Sequence, residues 1–227
     1  MFVHVDSRHR PRLRWATPLL VAACVVGFLW LALAPPEARV GFVVRWGTVP
    51  ARLFDADAPL WRQLTELPAL RLLTALFIHV DWLHLAGNLL FLMIFGLSAE
   101  RALGSRRFLL LFLLGGVWAN LVGALTLVST RSPIIGCSGA VSAVVGAYLA
   151  LFPRARLGLV LPLGFYFEFV RVPAALLIGL WVLVQLLFTY IGPSFGAVVW
   201  WAHIAGFLFG IAFAWVSREA IARRARR

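Results

Sequence analysis

The chain has 227 residues, of which 62% are hydrophobic and only 13% are charged. Long apolar stretches separated by arginine-containing joints exclude an ordinary soluble domain and predict a polytopic membrane protein. The formal net charge is +12 at pH 7. Arginines concentrated at the ends of apolar runs are explained by membrane topology and anionic lipid, so we expect a lipid bilayer and no nucleic acid as partner.

Six apolar runs have the length and composition of membrane spans. The second and fourth are short for a hydrocarbon core of about 30 Å, so their polar first turns are expected inside the membrane, facing a hydrated cavity. The predicted fold class is therefore an all-α membrane protein. Its predicted spans are residues 15–34, 83–98, 108–128, 138–152, 172–191 and 198–217.

The arginine distribution predicts the orientation, because the chain has no lysine and all 21 basic side chains are Arg. If the N-terminus is cytoplasmic, fifteen arginines lie inside and six outside. The positive-inside rule then places both termini in the cytoplasm. We expect a basic tail at 1–14, a membrane domain at 15–217 and a second basic tail at 218–227. A cleavable secretory signal is the competing interpretation of the N-terminus, and its removal would leave the other five spans oriented as before.

Three of the predicted spans enter the membrane from the outer face and carry polar residues in their first turns. These residues are His84 with Asn88, Ser138, and His203. Three separate segments thus deliver polar groups to one depth and one face. Strongly polar side chains are costly in lipid, so this clustering predicts a functional site.

The residue types favour nucleophilic catalysis. A neutral serine is a weak nucleophile and needs a base, and His203 is the one histidine outside the N-terminal tail and the second-span segment. Ser138 is expected at a helix N-terminus, where backbone N–H groups are unpaired. Asn88 and His84, four residues apart, are candidate oxyanion donors. With no acid at that depth, a Ser/His dyad without metal or cofactor is predicted; Cys137 remains the alternative nucleophile.

Small residues on the fourth and sixth runs predict that these two helices pack closely. A serine hydroxyl reaches an imidazole only if the two backbones come near each other. The small or polar residues at helical spacing are Ser138, Ser142 and Gly146 on the fourth run and His203, Gly206 and Gly210 on the sixth.

Taken together, the motifs resemble those of the rhomboid intramembrane serine proteases, over residues 71–210. Four segments carry the resemblance: H-x4-H-x3-N at His79, His84 and Asn88; Glu100-Arg101 with Gly104; G-x-S-G at Gly136–Gly139; and A-H-x-x-G-x-x-x-G at Ala202–Gly210. The resemblance implies a six-helix rhomboid bundle whose long outer loop, between the first two spans, is partly submerged.

Residue roles follow from the same resemblance. It implies Ser138 as nucleophile, His203 as general base, and His84, Asn88 and the Ser138 backbone N–H as the oxyanion hole. It implies structural roles for His79, Gly136, Gly139, Gly206 and Gly210. Substrates would be transmembrane proteins, cleaved near the outer ends of their helices.

Two other classes of function stay open at this level. A catalytically inactive rhomboid-like protein that binds membrane proteins would share the fold, although such proteins typically lack the serine or the histidine. A small transporter would also place polar groups in broken helices. The arginine-only, alanine-rich composition is typical of a high-GC bacterial genome, so a plasma-membrane location is expected. Natural substrate and oligomeric state are not indicated by the sequence.

Overall fold

The computed structural model describes residues 14–55, 59, 67–163, 166–191 and 200–225. Most of the predicted N-terminal tail, the first two residues of the predicted sixth span, and residues 226–227 lie outside this part of the chain. The helices in the described ranges are α1 (Ala16–Leu33), α2 (Pro36–Trp46), α3 (Pro50–Leu53), α4 (Pro68–Phe77, a succession of short turns), α5 (Trp82–Leu103), α6 (Ser105–Thr126), α7 (Ser138–Leu151), α8 (Ala174–Ile191), α9 (Trp200–Val216) and α10 (Arg218–Ala225).

Three described helices, α1, α5 and α6, are long and apolar enough to cross a membrane. Shorter apolar helices occur at Pro68–Phe77, Ser138–Leu151, Ala174–Phe188 and Trp200–Val216. The protein is thus a mostly helical membrane protein. The prediction that the second run is short is wrong, because α5 continues through a π-helical turn at Leu92–Gly96 and ends only at Leu103.

Glu100 lies within α5, before its end at Leu103, and its carboxylate is buried and hydrogen-bonded. It accepts hydrogen bonds from the backbone N–H groups of Ala16 and Thr17, both at 2.9 Å. The hydroxyls of Thr17 and Ser105 donate to it at 2.6 and 2.5 Å. The first N–H groups of a helix have no partner within it, so Glu100 caps α1 from a neighbouring helix.

A two-stranded antiparallel sheet corrects the all-α prediction. Strand β1 (Arg156–Leu163) pairs with β2 (Tyr166–Pro173), with Arg156 opposite Pro173 and Leu163 opposite Tyr166. Strand β2 is rich in aromatic and β-branched residues, and β1 has leucine at every second position; both patterns favour extended backbone. The hairpin connects α7 to α8, a segment that the span analysis interpreted only as a basic joint.

Helix α7 lies at the centre of the bundle, and every residue from Gly139 to Tyr148 is buried. Its closest neighbour is α9. A Cβ added at Gly206 or Gly210 would collide with the backbone carbonyl of Gly139 or Ala143, and one added at Gly146 would collide with that of Phe207. The two backbones therefore touch, as the small-residue pattern predicts.

The segment between α1 and α5 is attached to the segment that precedes α7. Thr48 and Ile134 exchange backbone hydrogen bonds at 3.1 and 2.8 Å. The Thr48 hydroxyl donates to the Arg71 carbonyl at 2.9 Å, and the amide of Asn120, on α6, donates to the Leu72 carbonyl at 2.9 Å. These bonds fix the chain ahead of the first residues of α5 and α7.

We predict that Gly210→Ala lowers both stability and function. The added methyl group meets the Ala143 carbonyl, so α7 and α9 must separate. Overpacking of this kind costs about 1–3 kcal/mol. Gly179→Ala is the matched control, because nothing lies within 4 Å of a Cβ there. Thermal unfolding in detergent should separate the two variants, and equal midpoints would contradict the packing described.

Candidate active site

The start of α5 is fixed by an N-cap. The Asp81 side chain accepts a hydrogen bond from the His84 backbone N–H at 2.7 Å. This capping arrangement satisfies one of the unpaired donors of the first turn. It sets the helix register so that His84 and Asn88, one turn apart, lie on the same face.

Gly136 shapes the start of α7. Its φ of +95° is rarely adopted by residues with a side chain, and its N–H donates to the Ala75 carbonyl at 2.9 Å. A Cβ at this position would lie 2.5 Å from Cε1 and Nε2 of His84. The glycine therefore lets the His84 ring lie directly against the turn that leads into Ser138. Gly139 serves a similar purpose against α6, since its Cβ would lie 2.5 Å from that of Ala119.

Ser138, the first residue of α7, meets His203 of α9. The Ser138 Oγ lies 2.9 Å from the His203 Nε2. This is the distance expected for a hydrogen bond between a nucleophile and its base. Both residues border a cavity of about 240 Å³, which is lined by Leu83, His84, Gly87, Asn88, Phe91, Ser138, Val141, Ser142, Val145, Trp181, Gln185 and His203. The structure thus brings together in one cavity all four residues that the sequence analysis placed in the site.

A fifth residue, Gln185 of α8, was missed by the sequence analysis. Its Oε1 lies 2.9 Å from the His203 Nδ1, on the ring edge opposite Ser138. The side chain is buried. The signal that could have identified it is a single amide in the long apolar run of α8. The prediction of a dyad rested on the absence of an acid at this depth, whereas a neutral amide oxygen can also face the imidazole.

His79 joins the loop before α5 to the start of α7. The Asn88 amide donates to the His79 Nε2 at 3.1 Å, and the Cys137 N–H points to the same nitrogen at 3.5 Å. The Cys137 thiol is buried, with its sulfur 3.6 Å from the His79 Nε2. Cys137 is fully buried and is not among the residues that line the cavity, so it is not favoured as the nucleophile.

Asn88 borders the cavity and also donates a hydrogen bond to His79. Burial, together with the nearby His84 ring, lowers the pKa of His79 to about 4. His79 is therefore neutral at physiological pH and can accept the Asn88 hydrogen bond. Its contacts link the loop, α5 and α7.

Comparison with known proteins locates this cavity within a recognised domain. The family model of the Rhomboid domain matches residues 66–220, which is more than half of the chain. The chain belongs to the rhomboid family. The cavity-lining residues all lie inside the matched range.

Curated relatives share this part of the sequence. Rhomboid protease GluP of Bacillus subtilis is 40% identical over 140 residues, which cover 61% of this chain and 25% of GluP. Rhomboid-like protein 11, chloroplastic, of Arabidopsis thaliana is 35% identical over 147 residues, 63% of this chain and 50% of that protein. Presenilin-associated rhomboid-like protein A, mitochondrial, of Danio rerio is 29% identical over 153 residues, 63% and 39% of the two chains. The matches thus span a quarter to a half of these relatives' lengths.

Stability of this rhomboid should depend on pH through His79. The unfolded chain binds a proton near the ordinary value of 6.5, whereas the folded protein does so near 4. The contribution of the neutral ring is therefore complete above about pH 6.5 and is lost as the pH falls toward 4. The variant His79→Gln supplies an acceptor that does not titrate. Its thermal midpoint in detergent should fall less steeply between pH 6.5 and 4 than that of the wild type, and parallel curves would contradict this prediction.

Proposed function

We propose that this rhomboid is an intramembrane serine endopeptidase that uses Ser138 and His203 as a catalytic dyad. The observation that carries the proposal is the 2.9 Å separation of the Ser138 Oγ and the His203 Nε2 within a cavity of an apolar helical bundle. Serine and histidine are rarely placed together in a membrane without a function.

In the proposed reaction, His203 Nε2 accepts the Ser138 hydroxyl proton while the Oγ attacks the carbonyl carbon of the scissile peptide bond. The carbonyl oxygen becomes an oxyanion in the tetrahedral intermediate. The imidazolium then gives its proton to the leaving amine, and the C–N bond breaks. The result is an acyl-enzyme on Ser138 and a free amino-terminal end on the released fragment.

The oxyanion needs hydrogen-bond donors, and the start of α7 supplies a set of candidates. The first N–H groups of a helix are unpaired and lie at the positive end of the helix dipole. His84 and Asn88 border the same cavity and are the proposed side-chain donors. The side-chain amide of Asn88 carries two N–H bonds. One donates to His79, which leaves the second available for the oxyanion.

The second half of the proposed reaction is hydrolysis of the acyl-enzyme by a water molecule. His203 accepts a proton from a water molecule, which attacks the acyl carbon, and the proton then returns to the Ser138 Oγ as the ester bond breaks. The polar lining of the cavity, which includes Ser142 and Gln185, suits a small number of water molecules in an otherwise apolar environment.

The proposed topology has six spans within residues 15–217, an outer loop that is partly submerged, and both basic tails, 1–14 and 218–227, in the cytoplasm. The arginine distribution supports this orientation. A cavity near the outer ends of α5, α7 and α9 favours transmembrane substrates cut near the outer ends of their helices. We propose a plasma-membrane location, although relatives include proteins named for mitochondria and chloroplasts.

Loss of either member of the dyad should abolish cleavage of a transmembrane reporter. We expect Ser138→Ala and His203→Ala to be equally inactive and the double variant to be no worse, because residues that act as a unit have non-additive effects. Turnover is measured in proteoliposomes, with thermal unfolding as the control for folding. Normal cleavage by Ser138→Ala would overturn the proposal. A folded wild type that cleaves no reporter would favour an inactive binding protein or a transporter instead.

A further inference from the structure

We propose that Gln185 is a positioning residue that holds His203 in the tautomer able to accept the Ser138 proton. The inference rests on the proposed function and extends it from two residues to three. Each of the three comes from a different helix: Ser138 from α7, Gln185 from α8 and His203 from α9.

The donor and acceptor chemistry decides the tautomer. The carbonyl oxygen of a glutamine side chain only accepts hydrogen bonds, so an imidazole nitrogen at 2.9 Å from Gln185 Oε1 must carry a proton. A neutral imidazole carries one proton. With Nδ1 protonated, Nε2 has a free lone pair, and this is the nitrogen that lies 2.9 Å from the Ser138 Oγ. The opposite tautomer would point an N–H at the serine and could not act as its base.

The burial of Gln185 argues for a specific role. Only 6% of the side chain is exposed, whereas Leu183 and Leu187 on the same helix are 61% and 54% exposed. A buried amide costs free energy unless its polar groups are hydrogen-bonded. An apolar residue would satisfy a merely structural position at less cost, so the bond to His203 gives the amide a reason to be there.

Aromatic contacts hold α8 against α9 beside the imidazole. Trp181, one turn before Gln185, packs on Phe207 of α9 with ring centroids 6.1 Å apart. Trp200 approaches the His203 ring edge-on at 5.9 Å. Hydrogen bonds weaken steeply beyond about 3.2 Å, so a shift of α8 by roughly 1 Å would release Nδ1. Whether the His203 Nε2 has a free lone pair for the Ser138 proton therefore depends on the position of α8.

Two substitutions separate positioning from packing. Gln185→Met keeps the length of the side chain and removes the strong acceptor, so kcat should fall roughly 5- to 100-fold with little change in KM, the range for one lost buried hydrogen bond. Gln185→Glu keeps an acceptor oxygen and should stay within about threefold of wild type. Leu183→Met, on the exposed face of α8, is the matched control. Full kcat in a folded Gln185→Met variant would overturn the proposal.

A second readout does not depend on proteolysis. In protein labelled with ¹⁵N-histidine, the His203 signals, assigned by their loss in His203→Gln, report which ring nitrogen bears the proton. We expect Nδ1–H in the wild type and a mixture of tautomers in Gln185→Met. An Nε2–H wild type, or a tautomer unchanged by Gln185→Met, would overturn the proposal. If the expected tautomers are seen in a wild type that cleaves nothing, the positioning by Gln185 stands and the proposed protease function fails.

Discussion

The contact between the backbones of α7 and α9 is the constraint on which the rest of the site depends. Gly206 and Gly210 lie against the carbonyls of Gly139 and Ala143, so no side chain separates the two helices. A serine side chain is short, and the 2.9 Å separation of Ser138 Oγ and His203 Nε2 follows from this approach. Any side chain at either glycine would push the helices apart and move the His203 imidazole away from the Ser138 hydroxyl.

Several buried polar side chains in the bundle have hydrogen-bond partners on other segments. Glu100 accepts four hydrogen bonds at the start of α1. His79 accepts from Asn88, and Gln185 faces His203. Partnering matters more here than in water, because an unpaired polar group in a low-dielectric interior is costly. These contacts tie α5 to α1 and α8 to α9, so the hydrogen bonding of buried polar groups also aligns helices that border the cavity.

Much of this arrangement could be predicted from local sequence patterns. The pairing of Ser138 with His203 follows from polar residues at the starts of apolar runs, and the close helix packing follows from the spacing of Gly206 and Gly210. These are short-range signals with a direct physical meaning. The apolar runs likewise predicted where α1, α6 and α7 begin and end to within a few residues.

Other features depend on tertiary contacts that no local pattern contains. Three of the four hydrogen bonds that Glu100 accepts come from Ala16 and Thr17 of α1, more than eighty residues away in the chain. The hairpin formed by β1 and β2 was not predicted, although leucine recurs at every second position of β1, because each strand depends on pairing with the other. Gln185 is a single polar residue in an apolar helix, and its meaning depends on the neighbour it faces.

The most direct test of the account is to identify the residue that reacts with a fluorophosphonate probe. The probe phosphonylates a serine only when a neighbouring base activates it, so the adduct reports the geometry of Ser138 and His203 without any assumption about substrate. Peptide mass spectrometry of the labelled, folded protein should find the adduct on Ser138 alone. An adduct on Ser142, which also borders the cavity, or no adduct on a cooperatively folded protein, would contradict the assignment of Ser138 as the activated nucleophile.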